Sequence, residues 1–146
     1  MQFRKLGREG AENVFRTVLN VEGAVITTGM GVALANGVSN DGVQAVVANA
    51  AADYIGFIGI AKADIANNDY GLVQISGFVN SVLLSNAGTS ITINAGDCLI
   101  PAPTGGFYSA AAPTYANAGF KRLFASNLPV AVSAAGYASG LLVGLS

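Results

Sequence analysis

Residues 54–79, YIGFIGIAKADIANNDYGLVQISGFV, place two apolar runs rich in β-branched side chains around a short polar segment, 64–69. β-Branched and aromatic residues suit a pleated, half-buried surface. Asp and Asn suit the turn between two such runs, because they tolerate left-handed backbone and bond to their own chain. The stretch predicts a β-hairpin around which the other strands are laid. Its first arm, 54–62, is apolar on both alternating faces, as expected of a strand covered on both sides. In the second arm Gly71, Val73, Ile75, Gly77 and Val79 share one face, with Gln74 and Ser76 on the other. Glycines within strands mark bulges, sharp bends or close approach of two backbones. Gly56, Gly59, Gly71 and Gly77 therefore predict a small closed or strongly curved sheet.

The rest of the chain carries β signals on both sides of this hairpin. Runs at 24–27 and 31–35 are divided by the Gly-bearing TGMG, and turn-forming Asn36-Gly37 and Asp41-Gly42 lead into the run at 43–48. Residues 82–84 and 90–93 read as the next pair, joined through Asn86-Ala87-Gly88. Later strands are expected at 98–100, 121–125, 129–133 and 137–145. Residues 11–19 are ambiguous: Ala11, Val14, Phe15, Val18 and Leu19 fit a helical stripe, yet their β-branched content and short span favour a strand. Residues 49–53 form an Ala-rich connection. The expected fold is all-β: a single compact, Gly-rich β-barrel or β-sandwich of about eight short strands. Residues 1–13 form an extended N-terminal arm, residues 14–146 one β domain, and residues 101–120 a long Pro/Gly/Ala-rich loop.

The chain has 146 residues, of which 52% are hydrophobic and only 10% charged. Ordinary soluble domains carry about 25% charged residues, so so little charge is easiest to explain if other protein covers much of the surface. The alternative is that Ala and Gly raise the hydropathy without making large apolar patches. Net charge is −1, with no basic excess of the kind that tracks nucleic acid. Arg4, Lys5, Arg8, Glu9, Glu12, Arg16 and Glu22 crowd the N-terminal end, whereas 63–120 contains no Lys or Arg. This interleaving favours ion pairs with a protein partner, against the alternative of solvated charges on a loose arm. No apolar run reaches the ~18 residues of a membrane span, and the charged N-terminus leads into no signal-like apolar segment. Synthesis in a reducing cytoplasm is expected.

Chemistry is hard to find in these residues. The chain has no His, which removes the commonest general base and metal ligand. Its single cysteine, Cys98, lies in an apolar run and reads as a buried free thiol. A Ser-Lys pair would draw on Lys62 or Lys121, and nothing nominates the serine. No phosphate loop or dinucleotide fingerprint is present. The oxygen-rich segment 64–69 lacks the spacing and distal Glu of a calcium loop and reads as a turn. No enzyme activity, cofactor, metal or small-molecule substrate is expected. Partner contacts are expected from Phe3, Arg4, Lys5, Leu6 and Arg8 on the arm, and from Phe107, Tyr108 and Tyr115 on the long loop, where folding back onto the core is the alternative.

The opening FRKLGREGAENVF with NVEG, the hairpin FIGIAKADIANNDYGLVQISGFVNSVLL and the turn INAGDCLIP together resemble the head decoration (capsid cement) proteins of tailed bacteriophages. The resemblance spans most of the chain and is clearest over 54–100. It implies a small β body on the exterior of the virion capsid, bound to the major capsid protein. Self-association as a trimer is favoured by the resemblance, with a dimer the alternative. It implies no nucleic acid or membrane partner and no catalytic residues. A competing reading is a carbohydrate- or host-binding β module of a phage tail or fibre, with Tyr108, Tyr115 and Asn117 supplying part of a sugar site.

Overall fold

The hairpin is present, and one of its arms is far longer than expected. The structure, a computed structural model, describes residues 13–35, 42–49, 56–85, 91–94, 96–101, 105–109, 122–125, 130–132 and 136–143. Among these the regular elements are all strands: β1 (Val14–Asn20), β2 (Gly31–Leu34), β3 (Gln44–Val47), β4 (Phe57–Ala61), β5 (Tyr70–Leu84), β6 (Ile91–Ile93), β7 (Cys98–Pro101), β8 (Phe107–Ser109), β9 (Arg122–Ala125), β10 (Val130–Val132) and β11 (Gly136–Val143). The helical alternative for 11–19 gives way to β1, which pairs with two neighbours. β8 lies within what reads in sequence as the long irregular loop.

Nine strands form one sheet in the order β1-β3-β2-β4-β5-β11-β9-β7-β8, and β10 and β6 form a second, two-stranded sheet. β1 returns to pair antiparallel with β5, so β1, β3, β2, β4 and the first half of β5 close into a five-stranded barrel. β1 and β3 run parallel; the other barrel pairs are antiparallel. The second half of β5 pairs with β11, from Leu142↔Gly77 to Gly136↔Leu84. From there the sheet continues through β9 and β7 to β8, which meets β5 again at the single parallel pair Leu84↔Phe107. The strands expected separately at 71–79 and 82–84 are thus one strand. The predicted pairing of 82–84 with 90–93 is replaced by β5–β11 and β6–β10.

β4 is covered on both faces. A bulge in its pairing with β2 (Val32↔Gly59, then Ala33↔Phe57) lets Phe57 and Ile60 face the same way. They pack with Val79, Val82, Leu84, Leu99 and Leu142 outside the barrel. Ala61 joins Val18, Val32, Ala45, Val47 and Val73 in the barrel interior. Two apolar cores thus share β4 and β5 as a common wall.

β5 can serve both because it bends. Gly77 has φ 97°, left-handed backbone that side chains with a Cβ avoid. Gln74, three residues before it, is 2% exposed. Its Nε2 donates to the carbonyls of Ser76 (3.2 Å) and Phe78 (2.9 Å), one on each side of Gly77, and to Asn13 Oδ1 (3.2 Å). A buried amide without such partners would cost roughly 1–3 kcal/mol. Here the amide is matched, and it braces the bend.

The barrel end nearest the hairpin loop is lidded. Ile65, within the Asp/Asn-rich segment 64–69, is 2% exposed and pairs with Ile26 through reciprocal backbone bonds of 3.0 and 2.9 Å. A Cβ on Gly71 would lie 2.4 Å from Ile65 Cγ1, so Gly71 leaves the space that Ile65 fills. The fully buried Asn20 donates from Nδ2 to the carbonyls of Ala24 and Ile65, both at 2.8 Å, and accepts from the Glu22 amide through Oδ1. The polar segment 64–69 is therefore a folded lid with its own apolar plug, and more than a tight turn.

Gly77→Ala is expected to destabilise the chain by about 1–3 kcal/mol, the range for a non-glycine residue forced into such backbone. Urea unfolding should show a lower midpoint at unchanged slope. Gln74→Met, close in volume but unable to bond the two carbonyls, should fall in the same range.

Candidate interaction surface

The polar groups of the barrel are largely engaged in holding it together. Among the described residues no three His, Cys, Asp or Glu side chains come together as a metal site would need. Glu22 Oε2 accepts from the Val47 amide at 2.8 Å. There the carboxylate takes the place of the next backbone carbonyl, just past the last β1–β3 backbone bond, Val21 N to Ala45 O. Arg16 donates to the Gly42 carbonyl. Asn67 Oδ1 accepts from the Gly23 amide at 3.0 Å. Cys98, which is in no disulfide, is half-buried at the start of β7, less enclosed than its apolar run suggests.

Asp64 shows how the lid is fastened. Its Oδ1 accepts from both the backbone amide and Oγ1 of Thr28, each at 2.7 Å. These bonds, the backbone one first, favour the charged carboxylate and hold its pKa below the ordinary 3.8.

What the barrel leaves to solvent is an apolar face. In the β1–β5 pair, Phe15, Thr17 and Leu19 stand opposite Gln74, Leu72 and Tyr70. Directly opposed residues of an antiparallel pair project to the same side of the sheet. Since Val73 and Val18 fill the interior, this side is the outside of the barrel. Phe15, Tyr70 and Leu72 are 41%, 67% and 49% exposed, and Val14 at the start of β1 is another exposed apolar side chain. None of the six paired residues carries a charge. An exposed apolar patch on the order of a few hundred Å² is the size that on other monomers is often an interaction site.

Phe3, Arg4, Lys5, Leu6, Arg8 and Tyr115 lie outside the described residues. Phe107 and Tyr108 are in β8, paired with Pro101 and Ile100 of β7. In sequence Tyr70 and Leu72 are assigned to neither face of the second arm, and the exposed face is not given. The period-2 reading that puts Gln74 and Ser76 on one side of β5 puts Tyr70 and Leu72 there too, and this was the available signal. Compared with known proteins, the chain matches no family model and no curated protein.

The Asp64–Thr28 bonds imply a pH dependence of definite sign. A carboxylate whose folded pKa is depressed stabilises the fold above its unfolded pKa and loses that contribution as pH falls through the folded value. The difference in thermal midpoint between the chain and Asp64→Asn should therefore be full at neutral pH. It should shrink as pH is taken below 3.8, and Thr28→Val, which removes the hydroxyl bond but keeps the backbone amide bond, should reduce it only in part.

Proposed function

We propose that this chain is a structural virion protein that binds the outer surface of a phage capsid and cements contacts between major capsid protein subunits. The observation that supports the reading best is the uncharged apolar face of Phe15, Leu72 and Tyr70 on β1 and β5. In sequence the mixed-charge segment 1–13 leads directly into β1, one of the two strands that carry this face. Aromatic and aliphatic anchors ringed by polar groups are the usual core of a protein–protein contact. The charged segment supplies orientation and partner choice.

The mechanism is surface coverage. A closed, plugged barrel holds the apolar face rigid, so little side-chain or backbone order is lost when a capsid subunit seats on it. Segment 1–13 reaches onto a neighbouring subunit; thirteen residues span up to about 45 Å when extended. Repetition of one modest contact around a symmetric shell then gives avidity. The resemblance favours a trimer at local threefold positions, and the virion exterior is the proposed location.

Mixing the purified protein with expanded, undecorated heads and imaging them tests this reading. Ordered density at symmetric positions is expected, with loss of occupancy on deleting residues 2–13 and on the double substitution Phe15→Ser, Leu72→Ser. Absence of density from a normally folded wild-type chain would overturn it. Retention of full occupancy by both variants would remove this face and the segment as the site.

A further inference from the structure

Past the bend, β5 carries an irregularity with a chemistry of its own. Ala138 of β11 pairs with Val82 and Gly140 with Val79, so β11 advances two residues while β5 advances three. The surplus residue falls at Asn80 and Ser81, a bulge of the kind that re-aims side chains at binding sites. Both line a pocket of about 40 Å³ between the barrel and the second half of β5. Lys62, Thr28 and Gln74 complete its polar wall, over a floor that includes the buried Ile60 and Val79.

The donor and acceptor supply of this wall is mixed. Lys62 offers only donors, and no described residue engages its ammonium. Asn80 and Ser81 can both donate and accept. Gln74 Nε2 is committed to the backbone bend, which leaves that side chain's oxygen for the pocket. Thr28 Oγ1 donates its proton to Asp64, so toward the pocket it can only accept. An anion such as phosphate, negatively charged and mainly an acceptor, would meet two acceptors and the nearby Asp64 carboxylate. A hydroxyl, which both donates and accepts, fits the set.

Size narrows the ligand further. A pocket of this volume seats one small substituent, of the size of a hydroxymethyl group, and leaves any ring outside. Outside it stands Tyr137, 55% exposed on β11 opposite Leu83. Its position is fixed by the turn at Gly29: a single point at the ideal Cβ site of Gly29 lies 3.2 Å from the Ser81 carbonyl oxygen and 3.3 Å from Tyr137 Cε1. The phenol ring is therefore a neighbour of the bulge. An exposed aromatic face, electron-rich at its centre, takes the C–H face of a pyranose while polar groups beside it bind hydroxyls.

We propose that the Asn80–Ser81 bulge, with Lys62 above the pocket and Tyr137 beside it, is a saccharide subsite that seats the exocyclic hydroxymethyl group of a hexose. The site lies mostly on the half of β5 beyond Gly77 and shares with the β1–β5 pair only the buried Gln74, and none of its exposed apolar residues, so it stands whether or not that face binds a capsid.

The test is an amide chemical-shift titration of the full ¹⁵N-labelled chain with the methyl glycosides of glucose, galactose and mannose. Methyl xyloside, which has the pyranose ring without the hydroxymethyl group, and inorganic phosphate are the comparison probes. At least one hexoside should give saturable shifts at Lys62, Asn80, Ser81 and Tyr137, with a Kd on the order of 1–10 mM, as a few hydrogen bonds and one stacked ring supply. Methyl xyloside should bind at least about fivefold more weakly, the equivalent of one neutral hydrogen bond. Tyr137→Ala and Asn80→Ala, both at exposed positions, should each weaken the hexoside by a similar factor while leaving the remaining spectrum in place. The proposal is overturned by no saturable shift with any of the three hexosides, by equal binding of xyloside, by hexoside binding that survives both substitutions, or by a response to phosphate alone.

Discussion

The structure depends on the bend in β5. A fifteen-residue strand that stayed straight would run about 50 Å, too far for a short barrel to wrap, and one half would lack a partner sheet. Gly77 and the Gln74 amide resolve this by dividing the strand without interrupting the chain. Before the bend the strand closes the barrel against β1 and β4; after it the strand pairs with β11. Because Val73 and Val79 fall on the two sides of the bend, each core is anchored by the same strand. Loss of the bend would therefore affect both cores together.

The lid depends on a different economy. Closing a barrel leaves two open ends, and an apolar interior open to water at one end forfeits part of its burial. Ile65 fills one end at the cost of placing backbone amides and carbonyls of an irregular segment near the core. Asn20 meets that cost with one side chain that bonds three backbone groups, and Glu22 supplies a carbonyl-like acceptor where β1 stops. Polar residues that look spare in a charge count are thus holding irregular backbone. Their engagement leaves the apolar β1–β5 face and the bulge as the surfaces on which the two proposals rest.

Much of the sheet was legible in the residues. β-Branched alternation located β2, β3, β4, β9, β10 and β11 to within a few positions, and the strand glycines correctly announced a closed, bent sheet. The errors have a common physical origin in side chains whose role is set by distant partners. Asn80-Ser81 looked like a break between strands because a bulge and a turn use the same polar residues; only the pairing with β11 tells them apart. Ile65 looked incidental within an Asp/Asn turn because its burial requires the space above Gly71 and a bridge to Ile26, 39 positions away. Tyr70 and Leu72 are assigned to neither face in the sequence, because apolar residues on a strand name no face until the barrel closes.

Closure also decides where binding can happen. β1 pairs with β5 along most of its length and with β3 at Leu19 and Asn20, which limits the edge open to strand addition and puts weight on side chains projecting from outer faces and on places where pairing is irregular. β5 supplies one of each. Leu72 and Asn80 are eight residues apart, at most about 27 Å along an extended strand and less across the bend at Gly77. The two surfaces also differ in kind: the first offers carbon to a protein face, the second hydrogen bonds to a small polar group. The residue that lets one strand wall two cores thus also turns β5 between the apolar face and the bulge, with Gln74 the side chain common to both.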